Sequence, residues 1–578
     1  MVEQMTKFKS SRNPMFRSKF SEDIFNLKYS HDLCESYGQL AKTLVHDVCG
    51  SFRSDKNMPE VREAALMSPT ELDQLVEYVA DLKFVPGGRY LYYAGRKKRF
   101  YNNCFLLKSA EDTREDWADL SWKNESCLMV GGGIGNDYSV YRPKNTPLGS
   151  TGGVASGPLP KMQMTNEQGR QVMQGGSRRS AMYASLDHQH GDIWDFLHVK
   201  DWDTMPVGST GLTLKEIKEQ DFNFPAPLDM TNISVNYNTE WLTKFWESGD
   251  VGSVFLENVK QAMKSAEPGF SFNFFDKENE TARNACTEVT SEDDSDVCNL
   301  GSINFGRINS LKELMHVVEL ATKFLICGTL RADLPYAKVY EVRKKNRRLG
   351  LGLMGMHEWL IKKGYPYEVG PELHRWLEVY KRVSSKTANE FSDSLSISRP
   401  IAVRAIAPTG SIGILAGTST GIEPIFAVAY KRRYLTNGTK WRYQYVVDSA
   451  AQELIDLYGV KPENIESALD LAPDYERRIK FQADVQDYVD MSISSTINLP
   501  QWGSKLNNPD TVPDFANTLA KYAHRLRGMT VYPDGARGGQ PLSPVEYKDA
   551  ADRLGEEFEE HVETHDICDI TSGGMCGA

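Results

Sequence analysis

Asn284-Ala285-Cys286-Thr287-Glu288 sets an amide, a thiol and a carboxylate at alternate positions. In extended backbone, period-two alternation puts the three side chains on one side, where they can meet one small substrate together. Alone, the pattern also fits a buried cysteine on a strand flanked by exposed polar residues. The other cysteines bear on that choice. Twelve residues on, Cys298 opens Cys298-Asn299-Leu300-Gly301-Ser302-Ile303-Asn304-Phe305, and far upstream Cys104 stands in Asn102-Asn103-Cys104-Phe105. Cys568 and Cys576 lie near the end of the sequence. Structural zinc sites use tight C-x2-4-C pairs, and none occurs here. Nine cysteines on a long chain without a signal peptide point to a reducing compartment, where a structural disulfide framework fits poorly. A dithiol relay remains, in which thiols on a mobile tail exchange with an internal disulfide by thiolate attack.

The bulk properties are those of a soluble enzyme. Hydrophobic residues make up 40% and charged residues 25% of 578. A net charge of −11 argues against a nucleic-acid partner, because neutralising phosphates needs a basic face. Met1 to Phe20 is polar and basic, and no run approaches the roughly 18 apolar residues of a membrane helix. The expected location is the cytoplasm.

Outward from the motif, helical and strand-like patterns alternate. Ser68-Pro69-Thr70-Glu71 is a capping box with proline at the first helical position, and Leu72, Leu75, Val76 and Val79 follow at helical spacing. Ser310-Leu311-Lys312-Glu313 begins a second helix, with Gly328 as its expected stop. Tyr90–Ala94, Cys104–Leu107, Ser180–Ser185, Ile401–Ala407 and Met529–Tyr532 read as short strands between helices, which favours an α/β domain with largely parallel pairing. From Tyr547 the character changes. An acidic amphipathic stretch, Asp549–Glu563, read as a helix, leads into a glycine-rich end, Asp566–Ala578.

Several segments together resemble the large subunits of ribonucleotide reductases. They are Asn284-Ala285-Cys286-Thr287-Glu288, Cys298-Asn299-Leu300-Gly301-Ser302, Pro408-Thr409-Gly410-Ser411-Ile412 and Leu415-Ala416-Gly417-Thr418-Ser419-Thr420-Gly421-Ile422-Glu423-Pro424, in the family's order, within a likeness running from about Val85 to Pro541. The resemblance implies an α/β fold, a ten-stranded barrel with a central finger loop. The expected division is a helical N-terminal region over 1–85, the barrel over 86–545 and a flexible redox tail over 546–578. Cys286 would carry a thiyl radical and take the 3′ hydrogen of the ribose. Glu288 would take the 3′ hydroxyl proton, and Asn284 would hydrogen-bond the sugar. Cys104 and Cys298 would supply two electrons and end as a disulfide, which Cys568 and Cys576 would reduce. Ribonucleotide substrate, deoxynucleotide effector, a thioredoxin- or glutaredoxin-like reductant and a second copy of the chain are the implied partners. No residue is expected to ligate a metal. Nothing in the first 60 residues resembles the family's ATP-cone, so an overall on/off switch by ATP and dATP is not expected.

Other motifs leave more open. Pro408-Thr409-Gly410-Ser411-Ile412-Gly413 lacks the ending of a P-loop and alone reads as a strand–helix turn. With the family likeness it becomes a substrate-phosphate turn, and Asn103 joins it as a substrate-binding residue. Gly350-Leu351-Gly352-Leu353-Met354-Gly355 matches GxGxxG but follows the polar Lys344-Lys345-Asn346-Arg347-Arg348, so close packing rather than a dinucleotide fold explains its glycines. Gly131-Gly132-Gly133-Ile134-Gly135 reads first as a loop. Arg178 and Arg179, in Gly175-Gly176-Ser177-Arg178-Arg179-Ser180, form either a solvated basic turn or the family's effector loop. His188, His190 and Asp192 read as a polar surface segment rather than a metal site.

Two branches of the family differ in radical source. One uses adenosylcobalamin directly; the other has a separate metal-containing subunit and passes the radical along adjacent tyrosines. Here Thr530-Val531-Tyr532-Pro533-Asp534 offers one tyrosine followed by proline, which cannot relay a radical. The expectation is therefore the cobalamin-dependent class II. The alternatives are a compact class I large subunit, with no cofactor of its own, and a non-catalytic nucleotide-binding regulator.

Overall fold

A computed structural model of the protein describes residues 16–50, 67–149, 151–172, 180–208, 210–221, 224–436, 440–536 and 542–561. In chain order the strands are β1 (Phe84–Pro86), β2 (Cys104–Lys108), β3 (Gly133–Asp137), β4 (Met182–Asp187), β5 (Thr231–Tyr237), β6 (Gly269–Phe272), β7 (Ala282–Arg283), β8 (Thr290–Ser291), β9 (Asp296–Asn304), β10 (Leu349–Met354), β11 (Ala429–Thr436), β12 (Lys440–Val447), β13 (Thr496–Leu499), β14 (Gly528–Pro533), β15 (Leu542–Pro544) and β16 (Glu557–His561). The chain forms two compact units, one of Met1–Asn103, Cys298–Glu423 and Ser449–Val460, the other of Cys104–Val297, Pro424–Asp448 and Lys461–Ala578.

In the first unit β9 is the central strand, antiparallel to β1 and parallel to β10, with Leu349 opposite Asn299 and Met354 opposite Asn304. The GxGxxG run is thus itself a buried strand, and its glycines serve strand-to-strand contact: a Cβ on Gly350 would meet the Leu300 side chain at 2.3 Å. The helix starts fall where the caps place them. Ser68 and Glu71 make a reciprocal capping box on Pro69–Ala80, and Ser310 accepts from the Glu313 N–H at 3.2 Å. Gly328, however, does not end its helix, which runs from Leu311 to Arg331. A Cβ there would sit 1.8 Å from the Tyr90 hydroxyl, so this glycine makes room for a ring packed against the helix. Tyr90 itself belongs to a short helix, Gly88–Tyr93, not the expected strand. Ile401–Ala407 is no strand either; one bridge, Leu351 to Arg404, ties it to β10.

In the second unit β2, β3, β4, β5 and β6 run parallel in that order. Helices Arg114–Met129 and Pro158–Gln171 are the crossovers that parallel neighbours require. β14 pairs antiparallel to β6, and β13 parallel to β14. With three strands in the first unit and seven in the second, the expected ten-stranded α/β architecture is present. A separate four-stranded antiparallel sheet, β15-β11-β12-β16, closes over Ala429, Val447 and Ala550. It corrects the reading of Asp549–Glu563: only Tyr547–Asp552 is helical, and β16 pairs with β12 from Gln444↔Glu557 to Lys440↔His561. The single aromatic between charges in Glu557-Phe558-Glu559 suits a strand as well as a helix. Among the described residues no helix is long and apolar enough to cross a membrane.

Candidate active site

The finger loop springs from the two-residue ladder β7–β8, in which Ala282 faces Ser291 and Arg283 faces Thr290. Its root is Arg283, a fully buried arginine. The guanidinium donates to Ser271 Oγ (3.1 Å), Asn273 Oδ1 (2.8 Å) and the carbonyls of Phe272 and Arg527 (3.3 and 2.8 Å). Burial, with Arg527 near, pulls its pKa down to about 9. β3 passes directly behind: a Cβ on Gly135 would lie 1.6 Å from the Arg283 carbonyl oxygen, so only glycine allows the approach. Gly133-Ile134-Gly135 is therefore strand, not loop.

The motif at the loop tip is not extended, as the alternation suggested. Thr287 adopts φ 68°, and its N–H donates to the Asn284 carbonyl at 2.9 Å, closing a turn. The turn brings Asn284 to Glu288, two of the three side chains the alternation set on one side. Asn284 Nδ2 donates to Glu288 Oε2 at 2.8 Å and lies 3.1 Å from Cys104 Sγ. The Cys104 thiol in turn points at Glu288 Oε1, 3.9 Å away. Asn284 Oδ1 accepts from the Val289 N–H (2.9 Å), so the amide is fixed at both ends. The Glu288 carbonyl accepts from the Ser492 N–H (2.8 Å), and the Ala285 carbonyl from Asn232 Nδ2 (3.2 Å).

Asn284, Glu288 and Cys104 are buried together, whereas Cys286 is half-buried. The other six described cysteines are all buried. Burial pushes the Glu288 carboxyl up to about 7, against the opposing pull of its hydrogen bonds from Asn284 and Cys104. Near neutral pH it can therefore both accept and return a proton.

The first unit holds the remaining described candidates. Cys298 is fully buried on β9, its thiol 3.4 Å from the Asn299 carbonyl; the Asn299 amide donates to Tyr90 Oη (2.5 Å) and Leu325 O (2.8 Å). Asn103 Oδ1 is buried and meets no donor among the described residues. Pro408 leads into Thr409, whose φ of 54° turns the chain into the helix Gly410–Ala416. Thr409 Oγ1 accepts from the Gly421 N–H (2.8 Å), Ile412 is buried, and Lys28 Nζ donates to the half-buried Ser411 hydroxyl at 3.4 Å.

Arg178, Arg179, Cys568 and Cys576 lie outside the described residues. His188 and His190 hydrogen-bond Asn238 Oδ1 and the Tyr141 carbonyl (3.1 and 2.7 Å), and no cluster of metal-ligating side chains occurs among the described residues. Neither Arg283 nor Lys28 stands out in the sequence. Arg283 sits inside the motif's flank but carries no pattern of its own, and Lys28 meets a residue 383 positions away.

Residues 102–213, 236–390 and 399–532 match a family model described as ribonucleotide reductase, barrel domain. A vitamin B12-dependent ribonucleoside-diphosphate reductase of Mycobacterium tuberculosis is 28% identical over 540 residues, covering 84% of this chain and 75% of that protein. One from Thermoplasma acidophilum is 27% identical over 526 residues, covering 82% and 66%. Among solved structures, a B12-dependent class II ribonucleotide reductase superposes with a TM-score of 0.69 at 15% identity, covering 96% of each chain. The alpha subunit of a class Id enzyme from Actinobacillus ureae reaches 0.67 at 16% identity, over 91% of this chain and 99% of that one. The matched segments include the Asn284–Glu288 loop, Cys104, Cys298 and the Pro408–Ile412 turn, and they span most of the sequence: the chain belongs to the ribonucleotide reductase barrel family.

Proposed function

We propose that this protein is an oxidoreductase that converts ribonucleotides to 2′-deoxyribonucleotides, using adenosylcobalamin to start radical chemistry at Cys286. The observation that carries the reading is the buried Glu288, brought to about 7 and held by Asn284 and Cys104 beside the half-buried Cys286. Cobalamin dependence draws on the relatives named vitamin B12-dependent and on the single Tyr532 followed by Pro533. The thiols fit such a cofactor, because among the seven described cysteines the sulfur assigned the radical is the one that is partly exposed. When bound, adenosylcobalamin supplies a carbon radical by homolysis of its cobalt–carbon bond.

Cys286 then gives up its hydrogen atom and, as a thiyl radical, takes the 3′ hydrogen of the ribose. Glu288 accepts the 3′ hydroxyl proton while Asn284 holds its carboxylate in place. The 2′ hydroxyl leaves as water; Cys104 and Cys298 supply two electrons and the needed protons and end as a disulfide. Cys286 returns its hydrogen to C3′. Cys568 and Cys576 reduce the disulfide by thiol exchange and are themselves reduced by a thioredoxin-like protein. Asn103 and the Pro408-Thr409-Gly410-Ser411-Ile412 turn bind the substrate, and Arg178 and Arg179 bind the effector. The class I reading shares the fold, as the class Id neighbour illustrates, but gives Pro533 no part in a tyrosine relay.

Purified protein with adenosylcobalamin, dithiothreitol, a ribonucleotide and no other protein should form deoxynucleotide. Cys286→Ala should bind nucleotide, keep its melting temperature and form none. Turnover by Cys286→Ala at a hundredth of the parent rate would remove Cys286 from its role.

A further inference from the structure

The segment 17–28 reaches the phosphate-turn helix, Gly410–Ala416, at three points along its length. Lys28 Nζ donates to Ser411 Oγ (3.4 Å), Ser21 Oγ to the Ile414 carbonyl (2.6 Å) and an Arg17 N–H to the Gly417 carbonyl (2.7 Å). Contacts at both ends and the middle fix Lys19–Lys28 in register with the turn. Arg17 is anchored in its own right. Its guanidinium pairs with the fully buried Glu358 (2.8 and 2.9 Å) and with Glu453. Burial alone would raise the Glu358 carboxyl, but Arg17 and Lys362 hold it at about 2, so these charges stay paired at any working pH.

We propose that Lys28 is a substrate-binding residue of the reductase, holding the outer phosphate of the substrate nucleotide beside Ser411. The inference rests on reading Pro408–Ile412 as the substrate-phosphate turn. Two of the three contacts end on backbone carbonyls and hold the helix; the third ends on a hydroxyl that the phosphate itself would use. Lys28 and Ser411 are both half-buried, whereas Glu358 is sealed. At 3.4 Å the Lys28–Ser411 bond is long and weak, and an ammonium exchanges it readily for a charged phosphate oxygen. A mobile point charge tolerates one or two phosphates beyond the first, where a bidentate arginine would fix one geometry.

Titration of CDP and CTP into the full chain, without cobalamin, reads the effect directly. Lys28→Met keeps a good helix former at the end of its helix and should weaken both nucleotides about tenfold. Lys28→Arg should recover most of that loss. With turnover, KM should rise and kcat hold. Inorganic pyrophosphate, tested as a competitor, should lose potency in Lys28→Met to the same extent. Unchanged affinity in Lys28→Met overturns the proposal; so does an equal loss in Lys28→Arg, or a nucleotide loss that pyrophosphate does not share. Ser411→Ala separates this inference from the reading beneath it. Weakened binding there with none in Lys28→Met sinks Lys28 alone; no effect in either variant sinks the phosphate turn as well.

Discussion

A carboxyl shut away from water, with an amide on one oxygen and a thiol near the other, keeps its proton to a higher pH than a solvated one, and Glu288 carries this chemistry. If its ionised form accepts the 3′ hydroxyl proton, the rate of the chemical step should rise with pH through about 7 and level off above it. Stability should move the other way. Below about 4.5 the carboxyl is protonated in both folded and unfolded chains. Between there and about 7 the folded chain keeps a proton the unfolded chain has lost, so stability falls as pH rises, by about 3 kcal/mol in all. Glu288→Gln should therefore be inactive yet more stable than the parent at pH 8, with the gap closing toward pH 4.5 in denaturant titrations. A variant less stable at pH 8 would contradict the buried-charge account. At this scale strand alternation predicts that Asn284, Cys286 and Glu288 meet on one side. A turn at Thr287 brings Asn284 to Glu288 instead, and a positive φ at threonine leaves no mark in a sequence.

Elements announced by local chemistry were legible: Ser68 and Ser310 start their helices because a cap is a contact within four residues. Elements decided by remote contact were not. Gly328 looks like a stop and lies inside a helix because Tyr90 packs there; Gly133-Ile134-Gly135 looks like a loop and is a strand because Arg283 passes behind it. The same close approach makes a test. In Gly135→Ala the new methyl would meet a carbonyl oxygen that the β7–β8 ladder holds, so the finger must shift. Overpacking of this kind costs about 1–3 kcal/mol. Gly135→Ala should lose stability in that range and lose activity far out of proportion, while Gly249→Ala, at a helix end with open space around it, should keep its activity. Full activity in Gly135→Ala would mean that β3 does not position the finger.

At the scale of the whole molecule, both proposals about electron flow depend on what reaches the site from outside it. With β16 paired to β12 as far as His561, seven residues lead to Cys568, a reach of at most about 25 Å. Cys568→Ser with Cys576→Ser should abolish thioredoxin-driven turnover yet allow one round from the reducing equivalents stored in Cys104 and Cys298. Sustained thioredoxin-driven turnover by the double variant would eliminate the relay. The radical poses the opposite question, whether anything must reach in at all. A radical arriving from a second protein needs a chain of oxidisable side chains, and here Tyr532 on β14 is followed by Pro533. Under the subunit-fed reading Tyr532→Phe abolishes activity, because phenylalanine cannot carry the radical. Under the cobalamin reading the radical is made beside Cys286, and Tyr532→Phe should keep at least half the parent rate. Hydrogen exchange between the 5′ carbon of adenosylcobalamin and solvent gives a readout independent of product. With effector present and no other protein it should proceed in the parent and in Tyr532→Phe, and cease in Cys286→Ala, since that thiol is the link between cofactor and solvent protons. Loss of exchange in Tyr532→Phe, or activity that appears only when a metal-containing partner is added, would place the chain with the class I enzymes.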